Sequence, residues 1–249
     1  MTMQVNQRLE QIYQRTELVK GMGDPKAGKF CIMSLVALLA GENHSDSPSV
    51  ASSLIRRFIV PINDRMPQVL RQQLKPFAPR IIGTRDRFDD LRIELLLHAV
   101  QEEIIPRMNV DFAALDFSPL WSRGARKSRA AASSLAARLT SLPGMRAILA
   151  DPISGNDIAS ATAELIIHCA GALAPQDAVW YWGKAVDILD RLCDISNQQA
   201  EPGLDWRRIG WLETILERRA RRVRRTAIAA RTLEKLRQFL SHTVNAEDV

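Results

Sequence analysis

Apolar residues recur three and four positions apart along nearly the whole chain, and runs that alternate apolar with polar residues between hairpin turns are missing. A period of about 3.6 residues lines side chains up on one face of a helix, whereas a half-buried strand needs a period of two. The expected fold is all-α: an irregular multi-helix bundle with a long basic C-terminal helix. The pattern predicts helices over Val5 to Lys20, Gly28 to Ala40, Ser49 to Asn63, Pro67 to Leu74, Arg85 to Pro106, Pro119 to Leu142, Pro143 to Ala150, Asn156 to Ala172, Pro175 to Ser196 and Leu204 to His242. Start signals are Ser47 or Ser49 beside Pro48, Ser118 before Pro119, Asp157, and Pro175 ahead of Gln176 and Asp177. Short polar side chains and proline suit a first turn, whose N–H groups lack partners inside the helix.

With 249 residues, 46% hydrophobic and 25% charged, the chain is long enough for one sizeable core. Residues 1–249 are read as a single domain. Interruptions at 122–139, rich in Ala, Ser and Arg, and at 198–203 are candidate sub-boundaries, but neither is long enough for a linker. The longest apolar run, Phe30 to Ala40, falls well short of the roughly 20 residues that cross a bilayer, so no membrane contact is expected. The N-terminal segment has no apolar signal-like stretch, which points to the cytoplasm. Cys31, Cys169 and Cys193 lie in apolar segments without metal-ligand spacing. They are read as buried thiols, with a nucleophilic Cys31 activated by His44 as the weaker alternative.

The net charge is +6 and the pI about 9.6. The excess is local: between Trp206 and Thr226 eight arginines stand against two glutamates, a surplus equal to that of the whole chain. Ile209, Leu212, Leu216, Val223, Ala230, Leu233 and Leu240 form an apolar stripe on this last helix, flanked by Ala220 and Ala227. Arg218, Arg221, Arg222 and Arg225 fall together on a neighbouring face. That face is a candidate contact for a protein partner, a second copy or a nucleic acid. The first two are favoured, because no helix-turn-helix, zinc-finger or RNA-recognition signature is present and Trp180 to Trp182 lie far from the arginines.

The other candidate site is the short polar stretch between Gly41 and Pro48, where Glu42, His44 and Asp46 follow a helix that reads as central. Carboxylate and imidazole groups held there suit metal ligation or acid/base work. The plainer reading is that Gly41 ends one helix and Asp46 or Ser47 caps the next. Similarly, Asn63 is read as ending a helix and Asp64 as capping the one that begins at Pro67. Glu94 with His98, and Glu164 with His168, are each spaced four apart and share a helix face. Local pairing is favoured over a metal site between two helices, for which the usual offset is three. Phosphate-binding glycine loops, nucleophile elbows and metalloprotease spacings are absent from the sequence. An enzyme is therefore disfavoured, and no cofactor or metal is expected.

Cys31, Met33, Ala40-Gly41-Glu42, His44-Ser45-Asp46, Pro48, Asn63-Asp64, Arg71, Leu74, Pro76, Pro79 and Ile82-Gly83-Thr84 together resemble a segment of an uncharacterised family of bacterial all-helical proteins. The resemblance covers Lys29 to Arg107 and, more weakly, Trp180 to Ile195. The family pattern has proline where this chain has Asn43. The resemblance implies no known activity, but it does imply that Glu42, His44, Asp46, Asn63 and Asp64 form one patch. The expectation is thus a non-enzymatic macromolecular-interaction protein acting through the basic helix. Nucleic-acid binding by the same arginine face, and a metal- or small-molecule-dependent enzyme at the Glu42/His44/Asp46 loop, are the alternatives.

Overall fold

The computed structural model describes residues 3–115, 122–141, 152–195 and 203–244, and most of these are helical. The helices are α1 (Met3–Arg15), α2 (Ile32–Leu39), α3 (Ser53–Arg65), α4 (Gln68–Arg71), α5 (Ala78–Ile81), α6 (Asp89–His98), α7 (Ile105–Leu115), α8 (Arg123–Thr140), α9 (Pro152–Ala172), α10 (Pro175–Asp194) and α11 (Trp206–Val244). The all-α expectation holds. The helix expected over Pro143 to Ala150, and the Ser118 cap, lie outside the described residues.

Two elements organise the core, the short α2 and the long α9. Every residue of α2 is buried, and α2 packs on α3, α5 and α11. Helix α9 packs against α3, α6, α8 and α10, with Leu165, Ile166 and Cys169 fully buried. At Gly155 of α9 an added Cβ would meet Ile93 Cγ1 at 3.2 Å. A side chain here would force Ile93 of α6 to move.

The first departure from the expected pattern lies between α1 and α2. Both helices are shorter than the periodicity suggests, because Glu17–Leu18 and Lys29–Phe30 pair as a short parallel ladder, Glu17 opposite Lys29 and Leu18 opposite Phe30. The ladder is completed by a side chain. The Gln72 amide accepts from Leu18 N–H at 3.0 Å and donates to Leu18 O at 2.9 Å, as a third strand would. Lys75 closes the end of α1 by donating to the Tyr13 and Thr16 carbonyls at 2.6 and 2.7 Å. These partners are more than fifty residues away, beyond the reach of local propensity.

The second departure is at Pro106, where the expected helix stops but the observed one continues to Leu115. Ala99–Ile104 form a π-turn, and Ile105 N–H donates to Val100 O, five residues back. The widened turn leaves room for a proline ring that would clash with the carbonyl four residues back in a regular helix. Third, α3 starts at Ser53, with the Ser52 hydroxyl accepting from Leu54 and Ile55 N–H at 3.1 and 3.3 Å. Ser52, rather than Asp46, Ser47 or Ser49, is the cap. Asp157 lies within α9, which begins earlier than expected, whereas Pro175 does open α10.

The three thiols are buried and unpaired. Cys31 caps α2, its sulfur accepting from Ser34 N–H at 3.2 Å. Burial pushes its thiol pKa up, against the lowering effect of its Ser34 hydrogen bonds, so it is poorly suited to act as a nucleophile. Burial raises Cys169 and Cys193 to about 12.

Candidate functional site

The loop after α2 is built from its own hydrogen bonds. Gly41, at φ +79°, donates to Leu38 O at 3.1 Å, and Glu42 N–H donates to Ala37 O at 2.8 Å. This left-handed termination satisfies the Ala37 and Leu38 carbonyls at the end of α2. The Glu42 carboxylate then accepts from Ser49 N–H at 2.8 Å, the Ser49 hydroxyl at 2.7 Å and Val50 N–H at 3.1 Å. Burial disfavours its charge, but these donors and Arg85 outweigh it and hold the carboxyl below its ordinary pKa. Glu42 is a clamp across the loop.

His44 is exposed, its ring 6.4 Å from that of Phe30. Asp46 accepts no hydrogen bond from the described residues. Among those residues no three of His, Cys, Asp and Glu gather closely enough to hold a metal ion.

Asn63 and Asp64 lie inside the last turn of α3 and cap neither helix in the expected way. The buried Asn63 accepts from Ile32 N–H at 3.2 Å and donates to Val19 O at 2.9 Å. Asp64 accepts from Gly21 N–H and from the Asn63 amide, at 2.9 and 3.1 Å. These two residues therefore serve the N-terminal end of α2, while Glu42 lies past its C-terminal end. The eight residues of α2 separate the two groups by about 12 Å at 1.5 Å per residue. Glu42, Asn63 and Asp64 are thus divided between two braces, and His44 and Asp46 belong to neither.

Of the two Glu/His pairs, Glu94 and His98 are exposed. His168 Nε2 lies 3.7 Å from Glu164, a local contact along one helix.

Helix α11 is different in kind. Asp205 caps it, accepting from Arg207 and Arg208 N–H at 2.8 and 3.1 Å, and its own N–H donates to Leu39 O at 2.8 Å. Ile209, Leu212 and Leu216 are buried against the body. Arg8 pairs with Glu213 at 2.9 Å and lies over the Trp206 ring, and Arg219 donates to the Ala27 carbonyl. Beyond Leu216 every described side chain is exposed, Val223 at 59%, Ile228 at 64% and Leu233 at 66%. At 39 residues the helix is about 58 Å long, of which about the first four turns, to Arg219, are held against the bundle.

The expected stripe is therefore split. Its first part is core; the rest carries alanines and one valine, while Ile228 and Leu233 fall off the line at about 100° per residue. Taking Leu216 as zero, Arg224, Arg221, Arg225, Arg218, Arg222 and Arg219 lie at about 80, 140, 180, 200, 240 and 300°. Arginines thus cover about 220° of the circumference, and the four singled out from sequence lie opposite the stripe rather than beside it. Arg219 is held by Ala27, and Arg221 is 3.7 Å from Glu217. Arg218, Arg222, Arg224 and Arg225 have no acidic partner among the described residues.

Where α11 leaves the body, a cleft of about 480 Å³ opens against the end of α1, lined by Arg15, Thr16, Leu216, Arg219, Val223 and Arg224. Sequence reading missed Arg15, which only the docking of α1 brings near the arginine run. No protein family, curated protein or solved structure matches the chain. Among the described residues, no helix is long and apolar enough to cross a membrane.

Proposed function

We propose that this is a non-catalytic nucleic-acid-binding protein whose projecting C-terminal helix lies in a groove and contacts the phosphates on either side. The observation that carries this is the spread of six exposed arginines, Arg218 to Arg225, over more than half of the helix circumference. A flat protein surface meets a stripe of about 100° on a helix. A groove brings phosphates to both flanks, and guanidinium groups bind them with release of counterions. The lack of aromatic residues in this run supports backbone contact without base readout. A cytoplasmic location belongs to the same proposal, supported by three unpaired buried thiols.

The test is anisotropy with short duplex DNA and RNA across a salt series. Binding is expected to weaken steeply with salt, and an R218E/R221E/R222E/R225E variant to lose it, the slope falling by about one per arginine removed. Absence of binding at low salt removes the reading.

A second reading, a protein partner or a second copy, is supported by exposed Val223, Ile228 and Leu233. Concentration-dependent sedimentation that disappears in Val223→Asp would support the second copy. The family resemblance remains part of the proposal and brings no activity with it. Catalysis at the Gly41 to Pro48 loop has little support, because Glu42 is already committed to Ser49 and Val50.

A further inference from the structure

A second cavity, of about 380 Å³, opens on another part of the molecule, between the α3–α4 corner, α8, α9 and the start of α10. We propose that it binds a small apolar carboxylate. Leu70, Ile167, Leu173 and Trp182 form its apolar lining, and Arg65, Ser128 and His168 bring the polar groups. Its volume is in the small-molecule range, and this mix of an apolar wall with few convergent polar groups is what ligand sites share.

The polar groups are largely unspent by the fold. Arg65 has no acid within ion-pair distance among the described residues, the Ser128 hydroxyl makes no hydrogen bond with them, and His168 has only Glu164 at 3.7 Å. The neighbouring Arg71, by contrast, is engaged: it donates to Gln68 Oε1 at 2.6 Å and to Met66 O at 2.8 Å. Those bonds fix the turn that carries Arg65 and Leu70, so that wall is formed before a ligand arrives. On the opposite side α8 and α9 approach closely, since a Cβ on Gly171 would meet Ser128 Oγ at 3.1 Å.

The charge and shape select the ligand. A guanidinium at the mouth accepts a carboxylate in a forked pair, while the apolar wall takes a hydrocarbon tail. A doubly charged phosphate would lose more hydration than this lining returns.

Calorimetry on the full chain with octanoate, and with octanol as the uncharged control, tests the assignment. Saturable one-to-one binding of octanoate is expected, weaker by about tenfold for octanol and in Arg65→Gln, the loss that follows when a charged hydrogen bond is removed. Arg65 is exposed, so its replacement leaves the core intact. Octanoate should shift the methyl resonances of Leu70 and Leu173, and the R218E/R221E/R222E/R225E variant should bind it unchanged. No binding at millimolar octanoate, equal affinity for octanol, or loss of binding in the arginine-helix variant instead of Arg65→Gln would each overturn the proposal. None of these outcomes depends on nucleic-acid binding.

Discussion

At the residue scale, single polar side chains do the work of whole turns. Glu42 satisfies two backbone N–H groups and a hydroxyl in a loop with no regular structure. Charged hydrogen bonds of this kind contribute about 1.5–3 kcal/mol, and Glu42→Ala is expected to lose about that much at neutral pH in urea unfolding. Its lowered pKa sets the sign with pH: the contribution is complete above the ordinary glutamate value and is lost as pH falls through the lowered one. The gap between wild type and Glu42→Ala should therefore close in acid; a gap unchanged at about pH 3 would deny the clamp its charge. Arg92 is the larger case. Fully buried, it donates to Asp86, Asp89, Thr84 O, Leu192 O and Ile195 O, tying the turn before α6 to the end of α10. Burial lowers its pKa, but the bonds to Asp86 and Asp89 prevail and raise it. Arg92→Leu leaves carboxylates and carbonyls without their donor and should cost about 3–5 kcal/mol, read as a lower denaturation midpoint.

At the element scale, the joint between α2 and α11 decides where the basic helix points. Gly41 ends α2 in a left-handed turn, and a Cβ there would meet Asp205 Cβ at 2.9 Å. Gly83 has a similar φ of +86° and nothing within 4 Å of an added Cβ. Alanine at either position carries the left-handed strain of about 1–2 kcal/mol. At Gly41 it also displaces the α11 cap, worth about 1 kcal/mol, so Gly41→Ala should be the more destabilising in parallel melts. Equal losses would show that the α2–α11 contact is not tight. Beyond Leu216 the helix buries no described side chain, keeps only the Arg219 bond to Ala27 and the edge of the α1 cleft, and works against itself: Arg218 with Arg222, and Arg221 with Arg225, are like charges four apart, each costing about 0.2–0.5 kcal/mol. Amide protection should fall off past Leu216, and inorganic polyphosphate should raise the helical circular-dichroism signal of the wild type but not of the R218E/R221E/R222E/R225E variant. The Gly41 termination was legible in the sequence, because glycine after an apolar helical run has few other uses. The Glu17–Lys29 ladder was not: two-residue strands leave no periodic trace, and its outer edge is held by the distant Gln72.

At the scale of the whole molecule, the bundle keeps its core, its basic helix and the Arg65 cavity apart. Its interior is closed around α2 and α9, its basic charge is carried outward on α11, and the apolar cavity at Arg65 lies between other helices. The sequence by itself determined the helical class, the buried thiols and the concentration of charge in one segment, because periodicity and composition are local quantities that survive any packing. Only the tertiary structure decided that Asn63 and Glu42 brace opposite ends of α2, that α11 leaves the core after Leu216, and that Arg65, Ser128 and His168 share a cavity. Each of these depends on which distant surfaces meet, and no spacing along the chain encodes that meeting.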